Sequence, residues 1–381
     1  MLENEEVVIS DDMVDGPVVA ELSSQRDENF ATIQVFVAIC VSVLIVCSMF
    51  YIGIVLIGND GLVSYRPGDQ ALESQEVYST LIDFEGVNLD GKGVTVCMVD
   101  SGIATNHPDM DPGKVSKWKD FVDNRNNPYD DNGHGTSMAG ILVANGWMKG
   151  IAPKVEFIVA KALSGNGSGN EQDVADAIDW CVSSGADIIS LSLGGAPDLL
   201  PFNIGSGRGS DEASSDAIDQ GVIVIAAAGN DGGENDDGDV SSPCSERLVI
   251  CVGGVQQNGE HWSGSSTGDN NGRLFPVLLP RADPHKKPEL VAPAQSVPVI
   301  NSEGTWSIVD GTSAATVYVT GAIALLLEQN PMLMDATSSA NSEQIKEWIE
   351  QSVQPQEGQT SHDDNYGYGL LKIQALLDQA E

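Results

Sequence analysis

Basic residues are scarce in this chain. Its 381 residues include 18 lysines and arginines against 56 aspartates and glutamates, which gives a net charge of −38. A surface this acidic repels a phosphate backbone, so nucleic acid is excluded as a partner. The acidic residues are spread over predicted helices and loops, which is the pattern of a solvated surface.

Cysteines are also few. The chain has six, and neither a Cys-x-x-Cys pair nor a Cys/His spacing typical of zinc occurs. Cys97 and Cys181 fall in apolar segments, and we expect them to be small buried hydrophobic residues. Cys244 and Cys251 flank a predicted strand, and their spacing leaves open whether they pair.

The chain has one long hydrophobic run, in which residues 35–57 give 23 positions without a charge. About 20 apolar residues cross a bilayer, so we predict a transmembrane helix over 31–57 that anchors the protein in the cell membrane by a single pass. A signal peptide would need a basic start and a shorter run. A buried core helix would be unusual beside the polar residues 1–30, which we expect to form an acidic disordered tail. Arg26 and Arg66 flank the run evenly, so charge does not set its orientation.

Apolar runs alternate with amphipathic segments beyond a linker over residues 58–74. Strands are predicted at 94–99, 155–160, 186–191, 222–228 and 248–252, with helices at 174–182, 213–220 and 342–353, the last capped by Ser342. This alternation indicates an α/β domain over 75–381, with a mostly parallel sheet covered by helices on both faces. In such sheets the site lies at the carboxyl ends of the strands. Asp100 and Asn230 each follow a predicted strand at such an end.

Three short motifs together offer the groups that acyl transfer needs. Ser313, in Gly311-Thr312-Ser313, opens an Ala-rich helix whose positive end would stabilise an oxyanion, although serine is also a common helix cap. His134 is framed by Gly133 and Gly135, and glycines permit close approach of another backbone. The other four histidines lie in polar or proline-flanked stretches. Asp100 at a strand end would orient the imidazole.

In the order Asp, His, Ser these motifs resemble those of the subtilisin-like serine proteases, the subtilase or peptidase S8 family. The resemblance covers roughly residues 75–381. It implies the subtilisin-like three-layer α/β fold, preceded here by one transmembrane helix, and a serine endopeptidase that acts on proteins or peptides. It also includes these segments between the motifs: Asn106-His107-Pro108-Asp109, Gly150-Ile151-Ala152-Pro153, Ala227-Ala228-Gly229-Asn230, 287–293 and Tyr366-Gly367-Tyr368-Gly369.

The resemblance assigns a role to each matching position. Asp100, His134 and Ser313 would form the catalytic triad, and the Asn230 side chain with the Ser313 N–H would bind the oxyanion. Further positions would bind substrate, in two facing edges and one pocket rim: Gly167, Ser168 and Gly169; Ser192, Leu193 and Gly194; and Asp231. Asp231 would attract lysine or arginine, with Ser241 and Ser242 near the pocket floor.

The chain departs from the family in three places. Val317 and Tyr318 replace the usual proline and histidine after the nucleophile, which should alter packing more than chemistry. Residues 58–90 are too short for an independently folding pro-domain. Many members hold calcium in a loop after the His helix. Here residues 143–150 offer one side-chain oxygen, from Asn145, so we expect no metal or other cofactor there and place Asp109 in a hydrogen-bonded turn.

Two rival functions remain open. An esterase or amidase for small acyl substrates would not need two extended edges, which suit a peptide bound as an added strand. The second rival is a catalytically silent peptide-binding module on the same fold. An altered triad position would favour it, and all three positions are intact. Since most subtilases act outside the cytoplasm, the resemblance also implies an extracytoplasmic catalytic domain.

Overall fold

The computed structural model describes residues 17–58, 66–194, 208–233, 236, 238–274 and 277–380. The chain divides into two units, Met1–Tyr65 and Arg66–Glu381. In its described part the first unit is one helix, α1, Pro17–Gly58. This helix begins inside the predicted tail, so the prediction of disorder is wrong for residues 17–30, while residues 1–16 lie outside the description. Once the apolar run has nucleated a helix, extension through further residues costs little.

Helix α1 contains the predicted apolar span. Asn29–Ile54 has a mean hydropathy of 2.8 over its most apolar stretch, and none of that stretch is buried. Among the described residues it is the one helix with the length and composition to cross a membrane, and a signal sequence near an N-terminus meets the same criterion.

The second unit holds all the described strands and the remaining described helices. The helices are α2 Asp69–Leu81, α3 His134–Val143, α4 Glu171–Ser183, α5 Ser210–Asp219, α6 Thr312–Gln329, α7 Ala340–Ser352 and α8 Ile373–Asp378. The strands are β1 Thr95–Asp100, β2 Val115–Asp120, β3 Glu156–Lys161, β4 Ile188–Leu191, β5 Ile223–Ala227, β6 Ile250–Val255, β7 Arg273–Leu274, β8 Val277–Leu278, β9 Leu290–Pro293, β10 Val297–Ile300 and β11 Trp306–Val309.

Seven strands form one sheet in the order β2-β3-β1-β4-β5-β6-β9. Every neighbouring pair in this sheet is parallel. All five predicted strands are present within a few residues of their expected bounds, which confirms the predicted α/β fold with a mostly parallel sheet. Because the strands are parallel, their carboxyl ends meet along one edge.

Both faces of this sheet are covered. Alternate residues of β1 belong to different cores: Val96 and Met98 pack with helices α3 and α6, whereas Cys97 and Val99 pack with α4 and α5. The two-residue alternation of a strand thus feeds two layers of helices. The apolar run after Ser313 is helix α6, buried from Thr312 to Leu327, as the sequence predicts.

Two disulfides lie in the second unit. Cys97 in β1 is bonded to Cys181 in α4, 84 positions apart. Both are buried as predicted, but the prediction that they are simple hydrophobic residues is wrong. The sequence shows that each is buried but not that strand and helix bring them together. In the chain-entropy view, closing a loop of this length lowers the entropy of the unfolded chain and so stabilises the folded state by about 4.5 kcal/mol. Cys244 and Cys251 also pair, which settles the alternative left open.

Two predicted boundaries are wrong. Helix α2 begins at Asp69, inside the predicted linker 58–74, because its buried residue Tyr78 docks the helix on the core. Residues 59–65 of that linker lie outside the description. Helix α7 begins at Ala340, so the expected cap Ser342 is instead a buried residue within the helix.

Candidate active site

A cleft of about 670 Å³ lies at the carboxyl edge of the sheet. Loops that follow β3, β4 and β5 supply its walls, together with the first turns of α3 and α6. Ten of the eleven predicted site residues line it: His134, Gly167, Ser168, Gly169, Ser192, Leu193, Gly194, Asn230, Asp231 and Ser313. The eleventh, Asp100, is fully buried and contacts His134.

The Asp100 carboxylate and the His134 ring form a hydrogen-bonded pair. The Nδ1 of His134 lies 2.8 Å from Asp100 Oδ1, which also accepts the Ser101 N–H at 2.7 Å. The Asp100 charge raises the pKa of His134, and this effect exceeds the opposing effect of burial. With Nδ1 bound to Asp100, the Nε2 of the imidazole is left for a proton from the cleft.

The backbone at the start of α3 presents His134 to the cleft. Gly133 adopts φ 97°, a left-handed conformation that favours glycine. A Cβ on Gly135 would lie 2.1 Å from the carbonyl oxygen of Gly102, so the predicted close backbone approach is present. The Asp130 carboxylate accepts the N–H groups of Gly133 and Thr136, each at 2.8 Å, and so caps the helix that begins at His134.

Ser313 lies in the first turn of α6 and is 7% exposed. Its hydroxyl donates to the carbonyl oxygen of Ser192 at 2.9 Å. In this state the single hydroxyl proton is therefore engaged by the Ser192 carbonyl oxygen. Hydrogen bonds among catalytic groups commonly tighten only when substrate is bound.

Thr312 orients the Asn230 amide. Asn230 Oδ1 accepts the backbone N–H of Thr312 at 2.9 Å and its hydroxyl at 3.0 Å, which leaves the Nδ2 hydrogens for another acceptor. A Cβ placed on Gly311 would lie 3.6 Å from Asn230 Nδ2 and 3.8 Å from the Ser313 nitrogen. The side-chain amide and the Ser313 N–H thus converge beside the serine. This role of Thr312 is not evident from the sequence.

Two backbone segments face each other across the cleft. On one side Ser164 donates its N–H to the carbonyl oxygen of Ser168 at 2.9 Å, and Gly167 turns with φ 80°. On the other side Ser192 accepts from Ser313 and its hydroxyl donates to the Ser313 carbonyl at 3.3 Å. Leu163 and Val174 also line this cleft and were missed. Leu163 lies just past a predicted strand, which is the signal that would have found it.

Asp231 lies at the cleft and is half-buried. Its carboxylate accepts the hydroxyl of Ser266, a partner that the sequence did not reveal. Ser241 lines the cleft as expected, whereas Ser242 donates to Asp211 and is not among the lining residues. Residues 234, 235 and 237 of the loop that follows Asp231 lie outside the description.

The Asp109 carboxylate holds the loop that follows α3. Its oxygens accept the N–H groups of Trp147 at 2.8 Å and Met148 at 3.0 Å and the indole N–H of Trp306 at 2.7 Å. Asn145 turns its amide nitrogen to Asp111. Within the described part of the chain, no cluster of three His, Cys, Asp or Glu side chains is arranged to hold a metal ion.

Comparison with known proteins gives one consistent result. The profile of the Subtilase family, Peptidase_S8, matches residues 91–369. Serine protease AprX of Bacillus subtilis (strain 168) is 32% identical over 274 residues, which are 65% of this chain and 60% of AprX. Subtilisin E of the same strain is 31% identical over 289 residues, 75% of this chain and 66% of its own length. Subtilisin DY of Bacillus licheniformis is 30% identical over 290 residues, 75% of this chain and 91% of its own length.

Structural comparison agrees with the sequence comparison. The crystal structure of a cold adapted subtilisin-like serine proteinase matches with a TM-score of 0.59 at 27% identity, over 76% of this chain and 91% of that one. Because this chain spans only 60% of AprX and 66% of Subtilisin E, those matches leave part of each relative without a counterpart here.

Proposed function

Because this chain belongs to the subtilase family, we propose that it is a serine endopeptidase in which Asp100, His134 and Ser313 form the catalytic triad. The observation that carries the proposal is the cleft, where His134 bound to Asp100, the Ser313 hydroxyl and the Asn230 amide lie together. Substrates are proteins or peptides, bound along the two backbone segments at Gly167–169 and Ser192–Gly194.

The mechanism follows from the donors and acceptors. Substrate binding turns the Ser313 hydroxyl from the Ser192 carbonyl to Nε2 of His134. As Ser313 Oγ attacks the scissile carbonyl, His134 takes its proton and later gives it to the leaving amine, while Asp100 stabilises the imidazolium. The oxyanion accepts the Asn230 Nδ2–H and the Ser313 N–H. Water then cleaves the acyl-enzyme, with His134 again as the base.

An activity-based probe tests the nucleophile. Wild-type protein should react with a fluorophosphonate and cleave a peptide, and Ser313→Ala should do neither while keeping its melting temperature. Ser183→Ala is a matched control, since this serine is exposed and lies outside the cleft lining. Labelling that survives in Ser313→Ala would place the nucleophile elsewhere. Turnover of small esters without any peptide cleavage would favour the esterase alternative, and a stable wild type without either activity would favour a silent binding module.

Helix α1 supports a second proposal, that the protein is anchored in a membrane through residues 31–57 with its catalytic domain outside the cytoplasm. None of the apolar stretch is buried, so in water it would have no cover. The two disulfides are typical of proteins in oxidising compartments. A membrane-impermeant fluorophosphonate should label Ser313 equally in intact and in broken cells. The labelled protein should be recovered in the membrane fraction. Recovery of soluble protein trimmed near residue 60 would contradict the anchor.

We also propose that the loop after α3 holds no calcium ion. The Asp109 oxygens already accept three N–H groups, and these donors take the place of the positive charge that a cation would supply. Calcium needs 6–8 oxygen ligands, more than this loop offers. A chelator should leave the melting temperature unchanged. The proposal would be contradicted if the chelator lowered the melting temperature of the wild type by many degrees but left that of Asn145→Ala unchanged.

A further inference from the structure

Lys161 is a lysine without solvent exposure at the carboxyl edge of the sheet. It is the last residue of β3, and its side chain is fully buried. Its ammonium group donates to the carbonyl oxygen of Ser101 at 2.6 Å, to Asp131 Oδ1 at 2.7 Å and to the carbonyl oxygen of Leu163 at 2.8 Å. An ammonium has three N–H donors, so each one has an acceptor here.

These three oxygens belong to three different parts of the candidate active site. Ser101 directly follows Asp100, the residue that holds the His134 ring. Asp131 lies three residues before His134, in the loop that leads into α3. Leu163 lines the cleft and begins the segment that reaches Gly167. One buried cation therefore contacts the residue that follows the acid, the loop that leads to the base, and the substrate edge.

The sheet does not depend on this side chain. Lys161 pairs with Asp100 of β1 and Asp120 of β2 through the backbone. The Ala162 N–H donates to the Asp100 carbonyl at 2.9 Å, and the Phe121 N–H donates to the Lys161 carbonyl at 2.9 Å. Removing the ammonium would leave these bonds in place, while two carbonyls and a carboxylate would lose their shared donor.

A tyrosine ring completes the surroundings of the ammonium. Lys161 Nζ lies 4.8 Å from the ring centroid of Tyr129, and Arg125 lies over the same ring at 4.1 Å. The Tyr129 hydroxyl oxygen also lies 3.1 Å from a carboxylate oxygen of Asp120 and 3.1 Å from one of Asp123, and its one proton can be donated to either. The loop between β2 and α3 is thus fixed to the ammonium at two points, Tyr129 and Asp131.

We propose that Lys161 is a positioning residue, which keeps the Asp100 turn, the loop before His134 and the Leu163 edge at a fixed distance from each other. The inference rests on the proposed peptidase function. It adds that a buried cation outside the triad couples the alignment of the catalytic groups to the binding of the substrate backbone. Misplacement of reacting groups by about 1 Å costs on the order of 10²-fold in rate, so small shifts of these segments matter.

The test compares Lys161→Met with Lys114→Met in the full chain. Lys114 is a matched control because its ammonium also bridges two backbone carbonyls, those of Pro153 and Val155, at 2.8 and 2.6 Å and outside the cleft lining. Two substrates are used: a long peptide that spans the Leu163 edge, and a small ester that reaches only the nucleophile. Lys161→Met should lower kcat/KM for the peptide by about 10²-fold, with a rise in KM. For the ester, Lys161→Met should lower kcat by a smaller factor and leave KM unchanged. Lys114→Met should leave the kinetic constants for both substrates unchanged.

The pH profile separates positioning from a simple charge effect. If the Lys161 charge acted only through space on the imidazole, its removal would raise the pKa of His134 and move the acid limb of kcat/KM to higher pH. If Lys161 acts by positioning, its removal should lower the plateau of kcat/KM and leave the pH of the acid limb unchanged. Lys161→Arg keeps the charge and should restore part of the peptide activity, which a loss of packing alone would not explain.

Asp131→Ala keeps the test decisive if Lys161→Met does not fold. The Asp131 side chain is 41% exposed, so the substitution is tolerable, and it removes one acceptor of the ammonium. It should lower peptide turnover more than ester turnover. Equal losses on both substrates, or none in a folded variant, would overturn the inference. A wild type that is inactive on both would instead overturn the proposed function, and the two failures are therefore distinguishable.

Discussion

The two edges of the central sheet carry the same kinds of charged group in different settings. At the carboxyl edge the Asp100–His134 pair opens on a cleft, and the His134 side chain is 34% exposed. At the amino edge Glu289, just before β9, lies 3.0 Å from Lys287 Nζ and also contacts Lys346, and all three residues are fully buried. Access to solvent, rather than the identity of the groups, separates a reactive site from a structural one.

The buried cluster shows what burial does to shared charge. Two ammonium groups face one carboxylate, which also accepts the Cys251 N–H at 2.7 Å. Burial lowers the pKa of Lys287 to about 7, and Lys346 beside it adds to the effect. The two cations hold the pKa of Glu289 below its ordinary value despite its burial. No substrate can reach these groups, so their contribution is to stability.

After the complete loss expected for Ser313→Ala, removing the charge of Asp100 should produce the largest loss at the open edge. Asp100→Asn leaves the shape intact but favours the wrong imidazole tautomer, and in serine proteases of the chymotrypsin type this costs about 10⁴-fold in kcat. Asp100 raises the pKa of His134. Because activity needs the neutral base, the residual activity should extend to lower pH than in the wild type. A pH–rate profile measures both effects, and an acid limb that stays in place would contradict the pairing.

Asn230→Ala should have the next largest effect. Loss of one oxyanion donor costs about 10²–10³ in kcat, a range that comes from subtilisin itself, with little change in KM. Asn258→Ala is the control, since this exposed asparagine also donates from its side chain, to Glu260 at 2.9 Å, and lies outside the cleft lining. Steady-state kinetics on one peptide compares the two, and equal losses would remove the special role of Asn230.

At the closed edge the opposite pattern is expected. Glu289→Gln leaves two buried ammonium groups without a counter-charge and should lower the free energy of unfolding by about 3–5 kcal/mol. In the folded variant kcat/KM at 25 °C should be unchanged. Glu343→Gln breaks an exposed pair with Arg247 in the same region and should cost less than about 1 kcal/mol. Denaturant unfolding distinguishes them. If the folded Glu289→Gln variant had a lower kcat/KM than the wild type, the buried cluster would contribute to catalysis as well as to stability, and the contrast between the two edges would not hold.

The smallest effect is expected at the rim of the cleft. Asp231 is half-exposed, so its attraction for a cationic side chain is worth about 0.2–1 kcal/mol and is weaker in high salt. Cleavage after lysine or arginine should exceed cleavage after glutamate, and Asp231→Ser should reduce that ratio about two- to five-fold at low salt. Asp335→Ser, at an exposed site outside the cleft lining, is the control. A peptide library profiled at two salt concentrations is the measurement, and an unchanged ratio would mean that Asp231 is only a solvated surface charge.

The sequence predicts the sheet well, because buried parallel strands are short apolar runs that need no long-range information to find. It predicts the site through the motifs around Asp100, His134 and Ser313, each at the end of a strand or the start of a helix. These features are local. The orientation of Asn230 by Thr312 is not local, since the two lie 82 positions apart in the chain.

The same limit explains the errors. Cys97 and Cys181 each look like ordinary core residues, and only the packing of β1 on α4 brings their sulfur atoms together. Lys161 directly follows an apolar run and looks like a solvated strand end, yet three oxygen acceptors from elsewhere bury it. Single charged residues give no sign of their partners in one sequence. Periodicity finds surfaces and elements, but it does not find contacts between them.

The Cys97–Cys181 bond closes a covalent ring that contains Asp100, His134, Lys161 and the segment at Gly167. A peptidase in concentrated solution meets copies of itself, and the exposed turn at 123–127 inside this ring is open to attack. A nick there would leave both pieces joined through the sulfur atoms. The damaged molecule would migrate as one band on a non-reducing gel and as two after reduction, and the three residues of the proposed triad would still be held on a single molecule.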